Sequence, residues 1–194
     1  MGMPAETRRW TAADVRELQD ESRAYPRYEL IAGELLVTPS PRTSHQYAVS
    51  FLLTALSTYV DAEHLGVALV SPADIDLEPG NITQPDVFVV LVTGRPFREW
   101  TDVKALLVAV EVLSPGNAES DRGTKRLYYQ RTGVPEYWVV DLDARAMERW
   151  RPNDDRPEFV RGTLEWSPDR ARTAFTLDLP AFFARVLGDD IAAG

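Results

Sequence analysis

Two carboxylates stand where hydrophobes are expected. Asp86 opens the apolar run Gln84-Pro85-Asp86-Val87-Phe88-Val89-Val90-Leu91-Val92, and Glu111 interrupts Ala105-Leu106-Leu107-Val108-Ala109-Val110-Glu111-Val112-Leu113. An ionised acid is costly to bury unless a cation or a hydrogen-bond donor meets it. Two such runs, followed by a helical stretch bearing Lys125, point to a divalent-metal site at the edge of a β-sheet. The chain has no cysteine and only His45 and His64 as histidines. Thiolate and histidine-rich sites are therefore excluded, and an ion here would be held by oxygen, which favours Mg²⁺ or Mn²⁺. Lys125 follows Asp121 by four residues and shares its helix face. An ammonium beside a metal-bound water can orient that water or offset charge developing on a phosphate.

The elements that must position these groups follow from the pattern. Thr11 to Ser22 reads as a helix, with Thr11 as N-cap and Asp14 completing a variant capping box. Tyr28 to Ile31 and Glu34 to Thr38 flank Ala32-Gly33 as a hairpin. Thr43 to Asp61 repeats apolar residues at helical spacing and predicts a long core helix. Gly66 to Leu77 reads as one strand, and Glu78 to Asn81 as a turn. The acid-bearing runs are strands separated by a loop with Gly94, Arg95 and Pro96. Ala118 to Arg131 reads as a helix, Glu136 to Asp141 as a buried strand, and Ala146 to Trp150, Glu158 to Gly162 and Thr173 to Leu177 as later strands. Pro180 to Leu187 closes the chain with a helix. Strand alternation puts Asp86 on the face of Phe88 and Val90, and Glu111 on that of Ala109 and Leu113. If the two strands are antiparallel neighbours, both acids converge near loops that a metal can reach. The order of elements indicates an α/β fold, with a mixed central sheet flanked by helices.

At 194 residues the chain suits one good core, so a single domain over 1–194 is expected. No apolar run approaches the ~20 residues of a membrane span, and Met1 to Trp10 lacks a secretory apolar core, which leads to a cytoplasmic expectation. The net charge of −9, from 21 basic and 30 acidic residues, runs against the basic surplus usual in nucleic-acid binders. A local basic face remains open in Arg122, Lys125, Arg126 and Arg131.

Each residue has a plainer reading. Asp86 could cap a backbone amide beside Pro85, and Glu111 could belong to a buried structural ion pair. Asp121 and Lys125 could form a surface pair. Glu29 reads as an exposed strand carboxylate and His45 as a residue covering a helix end. Tyr137 and Trp138 read as core, and the arginines after Ser120 as a solvated helix face.

The flanking motifs carry a resemblance. Tyr28-Glu29-Leu30-Ile31-Ala32-Gly33-Glu34-Leu35, Pro39 to His45, Gln84-Pro85-Asp86, Glu111-Val112-Leu113-Ser114-Pro115, Asp121 to Lys125, and Gly133-Val134-Pro135-Glu136-Tyr137-Trp138 with Asp141 together resemble the Uma-two family of restriction endonucleases. That family is a branch of the PD-(D/E)xK nuclease superfamily. The likeness spans about Tyr28 to Trp150 and implies a restriction-endonuclease-like core over about 28–150. The helix at 11–22 precedes that core, and strands and a helix at 151–187 follow it. It implies that Asp86 and Glu111 ligate Mg²⁺ or Mn²⁺, with the backbone carbonyl of Val112 adding an oxygen and Glu29 as an accessory acid. It departs from the superfamily at Leu113, where the usual Lys would stand, and Lys125 on the neighbouring helix becomes the candidate replacement. His45 and Asp121 complete the candidate set. The implied activity is metal-dependent endonuclease cleavage of DNA, with a homodimer as the simple way to cut both strands. Two alternatives stand beside it: a non-catalytic binding or assembly protein on the same fold, and a phosphodiesterase acting on RNA or nucleotides.

Overall fold

The computed structural model describes residues 9–22, 25–91 and 98–189. Val92 and the loop with Gly94, Arg95 and Pro96 lie outside the described residues. Helix α1 (Ala12–Glu21) starts on the expected box: the Thr11 hydroxyl accepts from the Asp14 amide, and the Asp14 carboxylate accepts from the Thr11 amide. Strands β1 (Arg27–Ile31) and β2 (Glu34–Thr38) pair antiparallel around Ala32-Gly33. Both turn residues have positive φ, 53° and 84°, which suits the tight two-residue hairpin turn. Glycine adopts this freely. Ala32 is tied there by its amide, which donates to the Asn81 side chain at 2.8 Å.

Helix α2 (Thr43–Glu63) lays Ala48, Leu52, Leu56 and Val60 on a sheet of six strands, and His45 lies on the same stripe. The sheet runs in the order β3 (Gly66–Val70), β4 (Val87–Leu91), β5 (Leu106–Val112), β6 (Tyr137–Asp141), β7 (Ala146–Trp150) and β8 (Glu158–Val160). Only β5 and β6 are parallel; every other neighbouring pair is antiparallel. A parallel pair needs a crossover. It is supplied by α3 (Ala118–Ser120), a π-turn (Asp121–Lys125) and α4 (Arg126–Arg131), which follow one another without a break. Where β3 crosses β4, Gly66 is obligatory, because a Cβ there would sit 2.0 Å from the Val90 carbonyl oxygen.

Both faces of the sheet are covered. Val87, Val89, Val108, Val110, Trp138 and Val140 face α2, the hairpin β9 (Thr163–Trp166) with β10 (Phe175–Asp178), and α5 (Leu179–Leu187). Phe88, Val90, Ala109, Tyr137 and Val139 face Tyr128 and Tyr129 of the crossover and Ile31 and Leu36 of the first hairpin. The mixed α/β sheet with flanking helices is thus the expected class, and Tyr137 and Trp138 are core on opposite faces.

One expectation is corrected, one strand is added, and the helix expected over Ala118 to Arg131 is found with a local change of winding. The strand from Gly66 to Leu77 stops at Val70, because Pro72 has no amide to offer a ladder; beyond it Ile75 makes only an isolated bridge to Thr83. Strand β9 was not expected, although Leu164 and Trp166 alternate inward. The helix from Ala118 widens into the π-turn, and the hydroxyl of Tyr137 donates to the Asp121 carbonyl within it at 2.9 Å.

Candidate functional site

Strand alternation builds the site from three directions. In β1, Arg27, Glu29 and Ile31 share the face turned to the sheet, while Leu30 turns to α1 through Val15 and Ile82. Asp86 immediately precedes β4, and the register pairs Val87 with Val110, so Asp86 stands opposite Glu111 in β5. From above, the crossover presents Asp121 and Lys125, and the N-terminal turn of α2 presents His45. Glu29, Asp86, Glu111, Asp121, Lys125 and His45 are all buried. The exposed reading of Glu29 is therefore overturned, as is the surface-pair reading of Asp121 and Lys125. Glu29 is 0% exposed because the hairpin lies over the end of the sheet.

The cluster has two parts. Around Asp86, Oδ1 accepts from Arg27 at 2.8 Å, and Oδ2 lies 3.0 Å from His45 Nε2 and accepts from the Val112 amide at 3.0 Å. Around Lys125, the ammonium lies 2.8 Å from Glu29, 3.0 Å from Glu111 and 3.3 Å from Asp121. Glu29 is further pinned by the Gln84 amide, which donates to it at 2.7 Å. Arg27 and Gln84 were missed from the sequence. The signal for Arg27 was available: it lies two residues before Glu29 in a strand and so on its face.

Burial works against every charge here, and the partners decide the outcome. For Asp86, burial alone would raise the pKa, but the His45 hydrogen bond and the His45 and Arg27 charges hold it well below the usual range. Glu111 goes the other way: burial lifts it far above its ordinary value, Lys125 opposes this, and Asp86, Asp121 and Glu29 reinforce it. Burial pushes Asp121 up to about 6 despite Lys125. Burial would depress Lys125, but Glu111, Glu29 and Asp121 outweigh it and keep the ammonium charged.

Arg122, expected on a solvated face, instead reaches from the π-turn to Asp141 at 2.7 Å and Glu148 at 2.6 Å. It ties the crossover to β6 and β7. Leu113, at the position of the superfamily lysine, packs against the core on the Phe88 face.

Among the described residues, no three acidic or histidine side chains converge in the arrangement of a metal cage. The donor chemistry nevertheless fits a hard divalent cation. Leaving His45 aside, four buried carboxyl groups face two permanent cations, Arg27 and Lys125. Glu29 Oε2 and Asp121 Oδ1 are buried without a hydrogen bond and are met only by the Lys125 charge. The surplus must be balanced by protons or by an added cation, and oxygen is the ligand that Mg²⁺ or Mn²⁺ prefers.

No helix among the described residues is long and apolar enough to cross a membrane. No curated protein matches the chain. Among solved structures it is similar to one titled as a putative nuclease belonging to DUF820 from Anabaena variabilis, with a TM-score of 0.69 and 18% identity over 89% of this chain and 98% of that one. At that identity the likeness speaks for the fold. The family profile described as "Putative restriction endonuclease" matches residues 12–180, and over that span, which holds every residue of the cluster, the chain belongs to the Uma2 family.

Proposed function

We propose that this protein is a metal-dependent endonuclease that hydrolyses phosphodiester bonds in DNA. The observation that carries the reading is the buried charge surplus at the sheet end, four carboxyl groups against Arg27 and Lys125. In this reading Asp86, Glu111 and the Val112 carbonyl hold Mg²⁺ or Mn²⁺, with Glu29 and Asp121 as accessory acids. A divalent ion there supplies charge to a phosphoryl oxygen and lowers the pKa of a bound water. The chain's own residues do the rest. Arg27, His45 and the Val112 amide fix the Asp86 carboxylate and keep it ionised, ready as a ligand. Lys125, held as an ammonium by its three carboxylates, acts as a positive charge that orients water and offsets charge developing on phosphorus; it is not a base. Leu113 leaves the strand position apolar, and Lys125 reaches the same carboxylate from the crossover.

The test is cleavage of a DNA panel with Mg²⁺ or Mn²⁺, with RNA beside it. Asp86→Asn and Glu111→Gln keep side-chain shape and should each lower the rate roughly a hundredfold or more, the scale for losing one fixed charge partner. Full activity in either variant would sink the assignment.

A second reading, a non-catalytic assembly protein on the same fold, is favoured by one observation: both oxygens of Asp86 already have protein partners. Thermal shift separates the two, since a metal site gains stability with Mn²⁺ and an inert scaffold does not.

A further inference from the structure

The four buried carboxyl groups of the cluster are not equally open to a cation. Both oxygens of Asp86 are met by protein groups, Oδ1 by Arg27 and Oδ2 by His45 and the Val112 amide. The oxygens without a hydrogen bond are Glu29 Oε2 and Asp121 Oδ1. Both lie against one atom, the Lys125 ammonium, at 2.8 and 3.3 Å, and Glu111 Oε1 completes the set at 3.0 Å. A single positive charge therefore stands at the focus of three carboxyl groups, which reach it from β1, the crossover and β5. Lys125 is 2% exposed, so carboxylates take the place of bulk water around it.

One charge leaves that focus short of cations, since Arg27 is already committed to Asp86. Among the described residues no three acids close into a metal cage, and the ammonium is the physical reason. Oxygens held 2.8–3.3 Å from its nitrogen stand wider apart than the shell of Mg²⁺, at about 2.0–2.1 Å, allows. The backbone beneath supplies an independent feature. Asp121 and Lys125 both ride on the wide π-turn, Asp121–Lys125, where the Tyr137 hydroxyl donates to the Asp121 carbonyl at 2.9 Å. Such turns are concentrated at functional sites, and rewinding one re-aims its side chains without unfolding the helix that follows.

We propose that Lys125 is the resident counter-ion of a divalent-cation site formed by Glu29, Glu111 and Asp121, and that a divalent ion enters by exchange with the ammonium. This rests on the reading above that such an ion binds at this sheet end, and it names what the ion must displace. A hard dication matches three carboxyl groups better than an ammonium does. Lys125 leaves with its proton and its charge. The orienting role given to Lys125 above begins only after the exchange, once the ammonium is released from the acids. One side chain thus holds the acids together before the ion arrives and faces water or phosphate afterwards.

The chain has only two lysines, Lys104 and Lys125, and Lys104 is exposed, so amine labelling reads the exchange against an internal control. The full chain is acetylated with and without Mn²⁺, saturation being set by calorimetry, and mass spectrometry follows each lysine. Lys125 should be protected without the ion and labelled with it, while Lys104 is labelled equally in both. Lys125→Met should bind Mn²⁺ more tightly, by the roughly 5- to 150-fold typical of two coupled ligands. Lys125 labelling unchanged at saturating Mn²⁺, or Lys125→Met binding no tighter than the unaltered protein, would overturn the exchange. The labelling needs no variant, so it decides even where Lys125→Met fails to fold. Failure of the exchange is separable from failure of the nuclease reading. Mn²⁺-dependent DNA cleavage with Lys125 still protected rejects the exchange and keeps the nuclease. Exchange without cleavage of DNA or RNA does the reverse, and an unaltered protein that binds no Mn²⁺ rejects both.

Discussion

Replacing Lys125 by Met keeps the length and apolar stem of the side chain and removes one charge from the centre of three carboxylates. Contacts of 2.8, 3.0 and 3.3 Å are each worth roughly 5 kcal/mol at an effective dielectric of about 20. That gross attraction is offset by several kcal/mol for stripping water from the ammonium. Removing the cation leaves the acids buried without it, and the expected net loss near pH 8 is about 3–5 kcal/mol. The pH dependence is the sharper signature. Glu111 and Asp121 already have raised pKa values when folded, and losing Lys125 raises them further. A group raised on folding contributes stability that is full below its unfolded pKa and is lost as pH rises through its folded one. If the variant's cluster takes up one extra proton, its stability deficit should shrink by about 1.4 kcal/mol per pH unit on acidification. Guanidinium unfolding followed by the fluorescence of buried Trp138 and Trp166 at pH 8 and pH 6 reads this directly. A loss under about 1 kcal/mol, or one equal at both pH values, would refute the view of Lys125 as the cation that holds the acids together.

Four other outcomes follow from the same electrostatics. Asp121→Asn should raise the melting temperature of metal-free protein at pH 8 and leave it nearly unchanged at pH 4, because the raised carboxyl, at about 6, is neutral at pH 4. A shift of about two units from 3.8 bounds the gain at roughly 3 kcal/mol, and a fall in melting temperature at pH 8 would contradict it. Mn²⁺ affinity, measured by calorimetry, should rise between about pH 5 and pH 8 as the ion displaces protons from Glu111 and Asp121; flat affinity would argue against those acids as neighbours of the ion. Arg27→Met should leave Asp86 with one fewer cation and destabilise the protein by about 1–3 kcal/mol in urea unfolding. Leu56→Ala, in the core on the sheet face away from the cluster, should cost about 2–5 kcal/mol without changing the pH dependence of stability.

Much of the fold could be read along the chain because its signals are local. The capping box at Thr11 and Asp14, the Ala32-Gly33 turn, the long apolar stripe of α2 and the two runs around Asp86 and Glu111 each declare an element within a dozen residues. Where signals were interrupted the reading slipped: Pro72 ended a strand whose apolar pattern continued to Leu77, and β9 hid behind Gly162. Asp86 and Glu111 stood out as charges in apolar runs, whereas Asp121 and Lys125 gained weight only from that company and from the resemblance of the flanking motifs.

What those charges do to one another depends on contacts far apart in sequence. Glu29 and Lys125 meet across 96 positions of chain, and Arg27 and Asp86 across 59, because the hairpin folds over the sheet end and the crossover lies above it. Pattern alone makes Glu29 an exposed strand residue and Asp121–Lys125 a surface pair; only the lid formed by the hairpin removes them from water. Sequence therefore determined the identity of the acids, the lysine and the strands that carry them. The tertiary structure decided their burial, their pairing and the direction in which each is driven to titrate, since desolvation and Coulomb terms depend on distance in space and not along the chain.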